Sequence, residues 1–326
     1  MASEVMTVTG PISADDLGFT LVHEHIFLDL MPDAWVGPNY MNDPVLAEME
    51  LMRYKNAGGV TLVDQTSGGL RENDHNLLFD EDLNHLKHAD AIREMAQKTG
   101  LNVILGCGWY RETYYEQRLW RMRTNDIADE IIRDVTEGID GTDVRAGFIG
   151  EIGAHFNWLS AIEERVLRAA ARAQVETGVA LGTHATRGPQ GLDQLDVLEQ
   201  EGVDLSRVVV AHSGSYPRHK YHAEIARRGA YISFDRMGGL KTGNDYERQR
   251  TLGLIKWIID EGLIDNLVFS HDVCYNTDYT IYGGGGYDFL STRGLSVLGE
   301  EIGLTEDQFR KIMVDNPRRL LTGEDS

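Results

Sequence analysis

Eight short runs of apolar and β-branched residues recur along the chain at fairly even intervals, and they predict eight β-strands. The runs cover residues 20–27, 60–66, 101–110, 145–153, 179–186, 207–214, 230–237 and 266–273. Helical patterns lie between them, at 43–57, 84–99, 160–177 and 245–261, and a glycine directly follows each. Glycine after a helix and before a strand is typical of a repeated strand–helix unit.

Eight such units predict an α/β fold of the closed (β/α)8 type, a TIM barrel. A doubly wound sheet is disfavoured because the first strand leads into His23 and His25, not into a GxGxxG loop. No linker, charge run or low-complexity segment divides the sequence, so we expect one domain over residues 1–326. Segments 73–88 and 283–286 are predicted loops above the barrel, either parts of a substrate lid or ordinary surface connections.

Charge and cysteine content narrow the class of protein further. The 326 residues include 52 acidic side chains against 31 lysines and arginines, a net charge of −21, which argues against nucleic acid and anionic lipid as partners. Only Cys107 and Cys274 occur, and we expect both to be free thiols. No signal peptide and no apolar run long enough for a membrane span are evident, so we predict a cytoplasmic protein.

Five of the predicted strands end in polar side chains that a buried strand does not ordinarily contain. These are His23 and His25, Glu151, His184, His212 and Asp272, on strands one, four, five, six and eight. Active sites of TIM barrels lie at the carboxyl ends of the strands, so all six side chains are expected at one mouth. A single histidine on a strand is more often a hydrogen-bonded core residue. The buried carboxylate of Glu151, however, requires a cation.

Four imidazoles and two carboxylates form the donor set of a metal site. They suffice for two divalent ions about 3.5–4 Å apart, with Glu151 bridging. We predict Zn²⁺ first, with Mn²⁺, Co²⁺ or Fe²⁺ as alternatives. A hydroxide between the ions would be the nucleophile at neutral pH, and Asp272 would take up its proton and pass it to the leaving group.

This combination of residues resembles the phosphotriesterase family of the amidohydrolase superfamily over nearly the whole chain. The resemblance implies that His23, His25 and Asp272 hold the more buried ion. It also implies that His184 and His212 hold the more exposed ion. Many members carry a carboxylated lysine where this chain has Glu151, so the chain is similar to the branch with glutamate. The shorter glutamate implies that the strand-four backbone lies closer to the metals or that the metals shift.

Three further positions are similar to the lactonase-like branch of that family. They are Tyr110 at the end of strand three, Arg236 after Asp235, and Cys274 in the run 270–274. The resemblance implies that Tyr110 and Arg236 are catalytic or substrate-binding residues, with Tyr110 beside the ring oxygen or carbonyl of a lactone. As purely structural residues, Tyr110 would pack in the core and Arg236 would pair with Asp235 or an acidic loop.

The leading interpretation is therefore a lactonase, a metal-dependent hydrolase that opens a small cyclic ester. Hydrolysis of an N-acyl amide or a phosphoester at the same site is the alternative among enzymes, and Arg236 with Lys241 would suit an anionic substrate. A non-catalytic metal-binding barrel is the alternative from another class. By resemblance we expect a homodimer.

Overall fold

The computed structural model describes residues 3–30, 40–71, 87–154 and 157–324. Within these ranges the chain forms twelve strands, in the order β1 (Glu4–Thr7), β2 (Gly10–Ser13), β3 (Thr20–Glu24), β4 (Leu28–Asp29), β5 (Tyr40–Met41), β6 (Thr61–Asp64), β7 (Asn102–Cys107), β8 (Phe148–Gly153), β9 (Ala180–His184), β10 (Val208–Ala211), β11 (Tyr231–Phe234) and β12 (Leu267–Phe269). Strands β3 and β6 to β12 form one parallel sheet in chain order. The pairs β1–β2 and β4–β5 are antiparallel and lie outside it.

Helices surround this sheet and follow its strands in turn. They are α1 (Pro44–Asn56), α2 (His88–Thr99), α3 (Thr124–Thr136), α4 (Ala161–Thr177), α5 (Gln190–Gln200), α6 (His219–Arg227), α7 (Gly239–Thr242), α8 (Asp245–Asp260), α9 (Leu295–Ile302), α10 (Glu306–Arg310) and α11 (Asn316–Thr322). The start of α4 follows the sequence closely, since Ser160 and Glu163 form the capping box that their spacing predicts. No helix in the described ranges is both long and apolar enough to cross a membrane.

The interior of the barrel is a packed core. Every barrel strand contributes one residue to a single buried cluster: Val22, Val63, Ile104, Phe148, Ala180, Val209, Tyr231 and Val268. Alternate residues of the same strands, such as Leu21 and Leu181, belong to the larger cluster shared with the helices. This division of each strand between two layers confirms the predicted TIM barrel.

The first and last barrel strands meet largely through one side chain. The Glu24 carboxylate, which is fully buried, accepts hydrogen bonds from the Ser270 hydroxyl (2.8 Å) and from the backbone N–H groups of His271 (2.7 Å) and Val273 (3.0 Å). The backbone N–H of Asp272 donates to the carbonyl of His23 over 3.1 Å. We call Glu24, Ser270, His271 and Val273 the closing seam, because they join the two edges of the sheet.

All eight predicted strands are present, but each is shorter than the apolar run that predicted it. In seven of the eight, the strand ends at an earlier residue than the run does. Several polar residues predicted at strand ends, among them His25, His212 and Asp272, therefore lie in the loops just beyond the strands. Segment 283–286 is a loop as predicted, whereas most of segment 73–88 lies outside the described residues. The spacing of Val45, Met49 and Met52 predicts one buried apolar face on helix 43–57, and this is wrong: Val45 and Met49 are exposed. The buried residues of this helix include Ala47, Leu51 and Tyr54 instead.

Candidate metal centre

The six predicted ligands meet at the carboxyl ends of the barrel strands, and all six are buried. Glu151 lies at the middle of the group. Its Oε2 atom is 2.8 Å from His184 Nδ1, 3.3 Å from His212 Nε2 and 3.5 Å from His23 Nε2. Its Oε1 atom is 3.8 Å from His25 Nε2. One carboxylate thus faces four imidazoles, which is the arrangement expected of a bridging ligand.

Asp272 completes one side of this cluster. Its Oδ1 atom is 3.4 Å from His25 Nε2 and 3.7 Å from His23 Nε2. His23, His25 and Glu151 offer ligand atoms within 4.8 Å of one another, and so do Glu151, His184 and His212. Two atoms that bind one zinc ion at about 2.1 Å lie roughly 3.4 Å apart in tetrahedral geometry. The distances in the cluster therefore fit two cations that share Glu151.

His23 supplies an independent test of this fit. Both of its ring nitrogens are buried, and neither has a hydrogen-bond partner among the described residues. A buried imidazole without partners is costly, because its polar atoms have lost water and gained nothing in return. A cation at Nε2, which already faces the carboxylates of Glu151 and Asp272, would satisfy this nitrogen.

The charges of the cluster favour cation binding. Burial alone would raise the pKa of Glu151, but the imidazoles of His184 and His23 hold it well below its usual value. Burial likewise opposes ionisation of Asp272, yet His25 and Arg236 keep its pKa lowered. Burial lowers the pKa of His184 to about 4, against the opposing charge of Glu151. Ionised carboxylates are the form that binds metal ions, so Glu151 and Asp272 are suited to hold a cation.

Asp235 contacts the predicted ligand His212, a role that the sequence did not lead us to expect. Its carboxylate accepts a hydrogen bond from the backbone N–H of His212 (2.7 Å) and lies 3.0 Å from the ring Nδ1. This contact turns His212 Nε2 toward Glu151 and raises the pKa of His212 well above its usual value, although burial opposes the shift. Such a partner fixes the tautomer and orientation of a ligating histidine. The sequence did contain a signal for this role, because Asp235 is a second polar residue at the end of predicted strand seven, directly before Arg236.

The closing seam reaches the same cluster from the other side. The backbone N–H of His23 donates to the Ser270 hydroxyl over 3.0 Å, and that hydroxyl donates to Glu24. Both backbone neighbours of Asp272, His271 and Val273, donate to the same carboxylate. One buried acid therefore positions predicted ligands that follow from the first and the last barrel strand.

Tyr110 lies at the mouth beside the cluster. Its hydroxyl is 3.4 Å from His184 Nε2, and the two rings meet edge to face at 4.9 Å. Burial, with a smaller contribution from Glu151, raises the pKa of Tyr110 well above its usual value. The side chain therefore presents a neutral phenol, a hydrogen-bond donor, next to the predicted metal ligands.

Arg236 is held by acidic groups other than its neighbour Asp235. Its guanidinium donates to the backbone carbonyl of Asp272 (2.6 Å), and it lies 3.4 Å from carboxylate oxygens of both Asp272 and Asp278. The Cys274 thiol, 3.3 Å from the same guanidinium, is buried, and both cysteines are free as predicted. Arg236 thus restrains one oxygen of Asp272 while the other faces His23 and His25.

Residues 3–321 of the chain match the model of the phosphotriesterase family. The chain belongs to this family. Among the relatives of this phosphotriesterase-family chain, an N-acetyltaurine hydrolase from Salmo salar is 30% identical, and the match covers 99% of both chains. The crystal structure of a resiniferatoxin-binding protein from Rhodobacter sphaeroides is 30% identical, with a TM-score of 0.86 and coverage of 99% and 97%. A mutant PTE-like lactonase from Deinococcus radiodurans is 28% identical, with a TM-score of 0.79 and coverage of 97% and 99%.

Membership of the phosphotriesterase family confirms the resemblance drawn from the sequence, and this chain is a hydrolytic enzyme. The alternative of a non-catalytic barrel is thereby disfavoured.

The local structure at Glu151 is unusual for a barrel strand. Strand β8 changes register against β9 between Ile149 and Ile152, and the Glu151 N–H bonds to the carbonyl of Gln65 over 3.1 Å. This irregularity lies at Glu151, the residue predicted to bridge the two ions.

Proposed function

We propose that this single-domain chain is a binuclear metal-dependent lactonase. His23, His25, Asp272 and Glu151 would hold one ion, and His184, His212 and Glu151 would hold the other. When bound, two such ions supply a hydroxide nucleophile at neutral pH and polarise the carbonyl oxygen of an ester. Zn²⁺ is the first candidate because imidazole and carboxylate ligands suit it, although Mn²⁺, Co²⁺ and Fe²⁺ accept the same donors.

The position of the Tyr110 hydroxyl is the observation that favours a lactone as the substrate. It is a neutral donor within 3.4 Å of a predicted ligand, His184, at the open end of the cluster. A lactone presents two acceptors close together, the carbonyl oxygen and the ring oxygen. A fixed phenol can donate to the oxygen that gains negative charge as the ring opens. Rigid donors aimed at developing charge typically lower activation free energies by about 2.7–4 kcal/mol.

Asp272 and Arg236 would move and direct the proton. Asp272 Oδ1 faces the predicted metal ligands, while Oδ2 lies against the Arg236 guanidinium. Arg236 would thus hold Asp272 beside the attacking water, where its carboxylate can accept a proton. Its fixed orientation allows it to return that proton to the leaving alcohol. Arg236 would act by holding Asp272 and by facing the substrate from the loop after β11.

Hydrolysis of an N-acyl amide is the second candidate, and one observation favours it. The relatives that match 99% of both chains include N-acetyltaurine hydrolases from Danio rerio and Salmo salar. An amide would use the same nucleophile and the same Asp272, but it needs a proton delivered to a leaving nitrogen. The demand on Asp272 is therefore greater for an amide than for a lactone.

The deciding experiment is turnover by metal-reconstituted protein on matched panels of lactones, N-acyl amides and phosphoesters. We expect a kcat/KM for the best lactone that exceeds the best member of each other panel by about 10²-fold or more. Faster turnover of an N-acyl amide would make the second candidate the function. Phosphoester turnover alone would reject both. The predicted homodimer and small-molecule substrate are part of the proposal, and light scattering tests the dimer.

A further inference from the structure

A cavity of about 730 Å³ adjoins the metal centre on the side of His212. Its wall includes His212, Asp235 and Arg236 from the centre, together with Arg187 from the loop after β9 and Arg250 from α8. Pockets that bind small molecules usually measure roughly 300–1,000 Å³. The cavity is therefore large enough for the part of a substrate that extends beyond the reacting carbonyl.

Two of the guanidinium groups in this wall are unpaired. Neither Arg187 nor Arg250 has a side-chain hydrogen bond or ion pair within the ranges that the structure describes, and Arg250 Nε is buried without a partner. The other arginines of the cavity are already engaged, Arg236 by Asp272 and Asp278 and Arg248 by Glu301. Arg187 is exposed and Arg250 is half-buried, so both guanidinium groups are open to a ligand that enters the cavity.

The backbone at Arg187 supports the same interpretation. Its φ angle is +61°, a left-handed conformation that non-glycine residues rarely adopt. The backbone N–H of Arg187 donates to the Ser215 hydroxyl over 2.8 Å, and Ser215 also lines the cavity. Strained residues of this kind concentrate where a side chain must be held in place for function.

The balance of charge in the cavity is positive. Its wall holds four arginines, at positions 187, 236, 248 and 250, against two acidic residues, Glu247 and Asp235, and Asp235 is bound to His212. Arginine matches the two oxygens of an oxyanion with paired N–H donors, and it is the residue most often used for that purpose. We propose that this cavity binds an anionic group of the substrate, a carboxylate, sulfonate or phosphate, through Arg187 and Arg250, while the scissile carbonyl lies at the metal centre.

The reactive part of this proposal rests on the proposed function, so the test uses matched substrates that differ in one charge. One pair is a lactone with a carboxymethyl group and its primary amide. The other is N-acetyl-2-aminoethanesulfonate and the corresponding sulfonamide. We expect the wild-type protein to prefer the anionic member of at least one pair. Arg187→Gln and Arg250→Gln should each lower that preference about tenfold, since each removes a charged donor.

Lys256→Gln is the matched control. Lys256 also lies on α8, but it pairs with Asp260 and lies outside the cavity wall, so the same loss of one charge should leave the preference unchanged. A second measurement does not depend on turnover. Ethanesulfonate, a poor metal ligand, should bind the metal-loaded protein in calorimetry. The double variant Arg187→Gln/Arg250→Gln should bind it at least about tenfold more weakly.

The two measurements separate the two proposals. Arginine-dependent binding of ethanesulfonate without turnover of any substrate would leave the anion site standing and remove the hydrolytic assignment to these substrates. An arginine-dependent preference supports both. If replacement of both arginines changes neither the preference between anionic and neutral substrates nor the binding of ethanesulfonate, the anion site is wrong.

Discussion

Substitution of Glu24 by glutamine tests whether the closing seam holds the metal centre together. Glu24 is fully buried and accepts from Ser270, from the backbone N–H groups of His271 and Val273, and lies 3.2 Å from His271 Nδ1. Three of these contacts fall on Oε1 and one, from Val273, falls on Oε2. Glutamine keeps the size of the side chain but has only one oxygen. The NH2 of its amide would therefore face one of the N–H or O–H groups that now donate to the carboxylate, and two donors cannot form a hydrogen bond with each other.

The cost follows from those contacts. With the remaining oxygen at the Oε1 position, the buried N–H of Val273 loses its acceptor, which costs about 1–3 kcal/mol. The other contacts lose the negative charge of their acceptor, and charge-assisted hydrogen bonds are roughly twice as strong as neutral ones. We therefore expect Glu24→Gln to lower the free energy of unfolding by about 2–4 kcal/mol. Metal affinity should fall as well, because His23 and Asp272 are positioned by the same seam.

Urea denaturation and metal analysis of the purified protein measure both effects. Glu50→Gln is the matched control, since Glu50 is also buried but its Oε2 has no partner in the described part of the chain. Glutamine can place its amide there without opposing a donor, and we expect a cost below about 1 kcal/mol. The reasoning is refuted if Glu24→Gln unfolds within about 0.5 kcal/mol of the wild type and retains its full metal content.

Three further predictions concern other parts of the molecule. Asp235→Asn should weaken metal binding about 10–100-fold, because His212 loses the partner that orients it; unchanged affinity in a competition assay with a chelator would contradict this role. Tyr110→Phe should lower kcat/KM for lactones about tenfold or more with unchanged metal content, whereas Tyr114→Phe should not, and equal effects of the two would remove the hydroxyl from the mechanism. Burial raises the pKa of Asp134 to about 7, from an ordinary value of 3.8. The folded protein thus keeps a proton that the unfolded chain has released, so stability falls as the pH rises from about 4 to about 7, by up to about 4 kcal/mol, and then levels off. Asp134→Asn should accordingly raise Tm at pH 8 but not at pH 4, and a difference that is independent of pH would show that burial of the charge is not the cause.

The fold was predictable because the strands of a parallel barrel are buried on both faces. Such strands appear in the sequence as nearly continuous apolar runs, and all eight were located. Their ends were not, because the chain stays buried after the last ladder hydrogen bond. Residue Asp272, for example, lies three positions beyond the end of β12 at Phe269. The exposed side chains of Val45 and Met49 show a different limit of the sequence pattern. Periodicity identifies an apolar helix face, but it does not show whether another element packs on that face.

The convergence of the six predicted ligands was also predictable, since parallel strands bring their carboxyl ends to one rim. The supporting residues were not. Glu24 acts on Ser270, which is 246 positions away in sequence, and that contact exists only when the barrel closes. The sequence predicted Asp235 only as a partner of Arg236, because a sequence shows which residues are adjacent in the chain but not which residues meet in the fold. The signal that could have identified Glu24 is its position as an acidic residue between His23 and His25.

The same closing contact has a consequence for how the enzyme comes into being. Ser270 lies 246 positions after Glu24, and synthesis of that stretch takes roughly 12–50 s at about 5–20 residues per second. Throughout that time the histidines of the first strand exist without the aspartate that completes their side of the predicted centre. We therefore expect a nascent chain that ends before Asp272 to have no hydrolytic activity of its own.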